Sequence, residues 1–195
     1  MAIRYAWVDA LEVAAPNAVA AWRGIEQGEV SEVQRSVRAR SGPGSAERSA
    51  AELGGLAAAM SEIVSSLGEE SLRQPGGEAD WTVAETIGHV ADARAGLCLA
   101  AAKAVTGSWP TDAPRVVPGV PGSPDADRPS LVFRIERSQR IVRRCAGTVA
   151  GHETDPCPLQ HPLVGRLLCG EWLVFAGVHD LMHLEQLHDL IEGAA

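Results

Sequence analysis

The chain has 195 residues, 46% of them hydrophobic, and 17 Lys and Arg against 25 Asp and Glu give a formal net charge of −8. This is the composition of one soluble globular domain, too short for two well-separated ones. An acidic chain without a block of Lys or Arg lacks the footprint of a sequence-independent nucleic-acid binder, and no charge-free stretch approaches the roughly 20 residues of a membrane helix, so neither nucleic acid nor membrane is an expected partner.

At the N-terminus Asp9 and Glu12 interrupt the apolar run where a secretory signal peptide needs an unbroken segment. Cys98, Cys145, Cys157 and Cys169 are far apart and form no C-x-x-C pair, which suits reduced thiols in a cytoplasmic protein. Residues 1–45 read as an N-terminal extension in which 17–40 can make one extra helix. Gly and Pro then cluster at residues 41–45, 74–77, 107–129 and 151–162 and mark the connections. Between these breaks the segments are rich in Ala, Leu, Glu and Arg, with no strand-like alternation, so the fold class is all-α.

Four helices follow in order, over residues 46–67, 82–105, 130–149 and 163–191, within a bundle spanning 46–193. The second opens on Thr82-Val83-Ala84-Glu85, the form of a capping box, and Ser130 after Pro129 is the expected N-cap of the third. Trp81, just before the box, is placed to staple the helix entry. The tract 107–129 carries Pro110, Pro114, Pro118, Pro121, Pro124 and Pro129, and its length requires a crossover connection. Arg134, Arg137, Arg140, Arg143 and Arg144 form a cationic stripe on the third helix, either solvated or able to receive an anionic substrate.

The chemistry concentrates in the last helix. At about 100° per residue, His183 lies only about 40° from His179, with Trp172 and Gln186 on the same face. Asp180, Glu185, Asp189 and Glu192 project elsewhere, so this face is the inward one, and His188 on the opposite side faces solvent. Two imidazoles one turn apart can share a divalent metal, although a hydrogen-bonded core role competes with that reading. His89, followed at helical spacing by the small residues Ala93, Gly96 and Ala100, is a candidate third ligand with room beside it for another element or a ligand. His152 and His161, in a loop, are alternatives. Among the thiols Cys157, between two prolines in that loop, is the one expected to react.

Trp81-Thr82-Val83-Ala84-Glu85-Thr86-Ile87-Gly88-His89, the later His161-Pro162-Leu163-Val164-Gly165, and the run from Glu171-Trp172 to His179-Asp180-x-x-His183-x-x-Gln186 resemble the DinB/YfiT-like family, which includes the N-terminal domain of mycothiol-dependent maleylpyruvate isomerases. The resemblance implies an up-up-down-down four-helix bundle, often a homodimer, with zinc or nickel held by His89, His179 and His183. It also implies a metal-dependent enzyme acting on a small molecule, either a hydrolase or a transferase or isomerase using a low-molecular-weight thiol. Gln186 and Glu85 are the candidates for a reacting or orienting group, with Glu85 equally explained by its cap. The alternative is a non-catalytic binding module whose metal is structural. The N-terminal extension and the Pro-rich tract are departures from the family pattern.

Overall fold

The computed structural model describes residues 6–26, 30–77 and 80–193. Seven helices run through them: α1 Ala6–Ala14, α2 Pro16–Glu26, α3 Val30–Arg40, α4 Ser45–Ser66, α5 Val83–Val105, α6 Arg128–Val149 and α7 Cys169–Gly193. A two-stranded antiparallel hairpin, β1 Pro156–His161 and β2 Gly165–Leu168, precedes α7. None of the described helices is long and apolar enough to cross a membrane.

The last four helices make the bundle. α4 and α5 each pack on both α6 and α7, while α4 with α5 and α6 with α7 scarcely meet. The pairs α4/α5 and α6/α7 therefore stand on the diagonals, while α5 and α6 are neighbours, the arrangement an up-up-down-down bundle with a crossover produces. The core is continuous through it, from Leu53, Leu56 and Met60 on α4 to Ile87 on α5, Leu131 on α6 and Phe175 on α7.

Three boundaries differ from the sequence reading. Residues 17–40 do not form one helix: α2 and α3 are separate, and α1 precedes them. They lie across α7 and α4, adding Trp22 and Val37 to the same core. α2 is fixed by charge as well as by packing, because the buried carboxylate of Glu52 accepts from the backbone N–H groups of Asn17 and Ala18 at 3.1 and 3.0 Å. That places an anion on the exposed donors of a helix N-terminus. α2 also approaches α7 closely, since a Cβ on Gly177 would stand 2.8 Å from Ala18 Cβ.

The third bundle helix is capped by Asp127, whose Oδ1 accepts from Ser130 N at 2.9 Å, in place of Ser130 itself. Pro129 falls inside the first turn, where a missing N–H costs nothing. The last helix begins at Cys169 and not near 163, because the chain turns at Gly165 with φ +68° and pairs β2 against β1. Glu171 then accepts from Leu168 N at 2.8 Å through one carboxylate oxygen, and from Arg38 Nε at 2.8 Å through the other.

The crossover, residues 106–127, is a strap laid against α5 and the hairpin. Its middle joins β1, with Gln160 N donating to Arg115 O at 2.7 Å and Val117 N to Gln160 O at 2.9 Å.

Candidate metal centre

α5 and α7 bring three histidines to one place. His89, His179 and His183 each offer a ring nitrogen, all within 4.8 Å of one another. His89 and His183 are 9% and 6% exposed. The expected His179/His183 face is therefore the one turned to α5, and His89 is the histidine that joins it. His152 stands outside the group, exposed and bonded to Asp155 Oδ2 at 2.9 Å. His161, half-buried, packs edge-on to Phe175 with ring centroids 4.8 Å apart.

Each ring is aimed by what its second nitrogen touches. His89 Nδ1 donates to the strap carbonyl of Val120 at 2.6 Å, and His183 Nδ1 donates to Gln186 Oε1 at 2.9 Å. These bonds place the ring proton of each on Nδ1 and the lone pair on Nε2. Nε2 of His89 and Nε2 of His179 are 3.2 Å apart. Two nitrogens at about 2.0–2.1 Å from a tetrahedral ion stand only slightly farther apart than that.

Without an ion, the same contact is one hydrogen bond, donated by the Nε2–H tautomer of His179. His179 Nδ1 is buried and without a hydrogen-bond partner among the described residues. Burial first, and the neighbouring His183 and His89 second, hold the His179 imidazole well below its ordinary pKa, so the ring stays in the neutral form that ligates. The donor set thus fits a divalent transition metal: three imidazoles and no thiolate, with two of the three rings braced from behind.

The two candidates for a reacting group are both engaged elsewhere. Glu85 forms the capping box foreseen at Thr82: its Oε2 accepts from Thr82 N at 2.8 Å, and Glu85 N donates to Thr82 Oγ1 at 3.2 Å. Gln186 spends its carbonyl on His183, and its Nε2 donates to Gly76 O at 2.7 Å, tying the site to the turn before α5.

Sequence reasoning missed the strap. Gly122 N donates to Glu85 O at 2.9 Å, and Gly122 packs directly on Gly88. A Cβ at Gly122 would meet Glu85 O and Gly88 Cα at 2.7 Å, so two glycines let the strap backbone touch the helix one turn from His89. The paired glycines were the available signal, but nothing local links residues 88 and 122.

Other assignments change with the tertiary structure. Trp81 lies against His89, with centroids 4.9 Å apart, and forms a wall of the site. His188 faces away from the three grouped histidines as its phase requires, yet it is not solvent-facing, because Trp7 of α1 stacks on it at 4.7 Å and 9°. Trp172 is fully buried core. Cys157 lies buried in β1, and not in an open loop. A hydrogen bond from Cys169 pulls its thiol pKa down, while the same contact and burial push Cys169 up. Of the arginine stripe, Arg134 pairs with Asp92 at 2.9 Å, and the stripe lies on α6, which scarcely meets α7.

Residues 52–187 match the family model of the DinB superfamily, and the chain belongs to that superfamily. No curated protein and no solved structure matches the chain.

Proposed function

From its place in the DinB superfamily, we propose that the protein binds one divalent metal ion, zinc or nickel, through His89, His179 and His183, and that it is a metal-dependent enzyme acting on a small molecule. The observation that carries this is the convergence of three imidazole nitrogens within 4.8 Å. Three histidine ligands, with no fourth donor grouped with them among the described residues, leave positions open, as in catalytic rather than structural sites. Imidazole suits both metals.

When bound, such an ion lowers the pKa of a coordinated thiol or water and so supplies a nucleophile. The chain's own groups prepare for that. Val120 O and Gln186 Oε1 orient two ligands, Trp81 covers one face of His89, and burial keeps His179 neutral. Glu85, the candidate carboxylate one turn before His89, is consumed by its cap. The reaction then has to proceed without a side-chain base at that position. This favours a low-molecular-weight thiol as the nucleophile, since a thiol ionises far more readily than water, and with it a transferase or isomerase. Hydrolysis is the second reading, and the four free cysteines suit a reducing cytoplasmic setting.

Elemental analysis of the untagged protein beside His183→Ala tests the proposal. About one zinc or nickel per chain, lost in the variant with helicity retained, supports an open metal centre, and thiol addition to an electrophile can then be assayed against ester hydrolysis. Absence of metal from the wild-type protein after reconstitution overturns it and leaves a non-catalytic binding module.

A further inference from the structure

Beside His89 the strap and α5 enclose an open groove of about 360 Å3. Its floor is a single stripe of α5, in which Ala93, Gly96 and Ala100 follow His89 and the stripe ends at Lys103. At 1.5 Å per residue the stripe is about 21 Å long. Trp109, Val117 and Pro121 of the strap face it. The walls are almost entirely hydrocarbon, and the carboxylate of Asp92 at the rim is paired with Arg134.

The groove is long. Its floor is one helix stripe, roofed by the strap and lined almost wholly by hydrocarbon, so an extended hydrocarbon chain can lie along it. The floor is open where it matters, because a Cβ on Gly96 would meet no atom within 4 Å. The two ends differ in chemistry. One is the metal-ligand candidate His89, the other a half-buried lysine whose aliphatic stem can lie along a hydrocarbon while its ammonium reaches water.

We propose that this groove binds the straight hydrocarbon chain of an amphiphilic substrate, with its polar head at His89 and its tail running toward Lys103. The position of the head rests on the metal reading above; the seat of the chain does not. The roof and the metal site are one construction, since the strap that covers the chain also supplies the Val120 carbonyl that aims His89.

The test separates the two parts. Isothermal titration of n-hexanol through n-decanol into metal-free protein reads the chain alone, and each added methylene is expected to tighten binding about fourfold. A Cβ at Gly96 meets nothing within 4 Å and the change removes a helix-interior glycine, so Gly96→Leu is expected to fold and to fill the floor; its affinity for decanol is expected to fall at least about tenfold. Gly147→Leu, equally unobstructed on α6, serves as control and binds as wild type. A flat chain-length series, a series unchanged in Gly96→Leu, or tighter binding of naphthalenemethanol than of decanol overturns the proposal. The matching alkyl hydroxamates, titrated into zinc- or nickel-loaded protein, read the head: a metal-dependent gain that grows with chain length supports its place at His89. Chain binding without any such gain in protein that holds its metal overturns that placement alone and leaves the chain in the groove, whereas protein that takes up no metal overturns the metal reading.

Discussion

Arg94 Nη2 stands 2.6 Å from Asp180 Oδ2, and both side chains are wholly removed from solvent. The pair joins α5 to α7 beside the histidines, yet the contact is poorly aligned and neither group gains a hydrogen bond among the described residues. Breaking such a pair strands a buried charge, whereas replacing both members removes two desolvation penalties together. Asp180→Ala is expected to lose about 3–5 kcal/mol of stability, and the double variant Arg94→Met with Asp180→Leu to recover most of it. Urea unfolding decides, and a double variant as unstable as the single one refutes the argument. Burial raises the Asp180 carboxyl to about 6, above its ordinary 3.8, with Arg94 opposing. Its contribution is therefore fully present below pH 3.8 and lost as pH rises through about 6.

Gln186 bonds Nδ1 of His183 and is predicted to act on the site through that ring. Removing an outer partner of a ligating imidazole typically costs 10- to 100-fold in metal affinity. Gln186→Ala is expected to show a loss of about that size in a chelator competition while its helical circular dichroism stays unchanged. Affinity equal to wild type would mean that the His183 ring needs no brace.

Gly122 is predicted to be intolerant of any side chain. Gly122→Ala drives a methyl into backbone at 2.7 Å and has to lift the strap. Overpacking of this kind costs about 1–3 kcal/mol. Because Val120 O moves with the strap, metal affinity should fall in the same variant, and a stability loss with undiminished affinity would uncouple the two.

Stability of the metal-free protein should fall on mild acidification. Burial holds His179 well below the ordinary 6.5, and burial likewise lowers His161. The unfolded chain binds these protons first, so the stabilising effect is complete above pH 6.5 and is lost as pH falls below it. Urea midpoints measured from about pH 7.5 down to about pH 6 should decline, with a smaller slope in His179→Gln. An equal slope in that variant would show that His179 does not titrate as its burial requires.

Much of the site could be read from the chain because its determinants are local. The 3.6-residue period puts His179 and His183 on one face, and the capping box at Thr82 fixes where α5 starts and hence where His89 stands. Helix-forming composition likewise fixes the all-α class. The beginning of α7 was not readable, because the hairpin over residues 156–168 rests on cross-strand pairing that single-segment propensity does not encode.

What the tertiary structure alone decided are relationships between residues distant in sequence. Trp7 covers His188 from 181 positions away, and Val120 aims His89 across 31 residues. Periodicity could say which way His188 points but not that α1 returns to cover it, and Gly-Pro punctuation marked the crossover as a loop without showing it to be the groove's roof. The sequence by itself determined the all-α class, the four bundle helices apart from their ends, and the shared face of His179 and His183. The orientation of His89, the engagement of Glu85 and Gln186, and the groove required the packed fold, because packing and long-range hydrogen bonds are properties of the whole chain and not of any window within it.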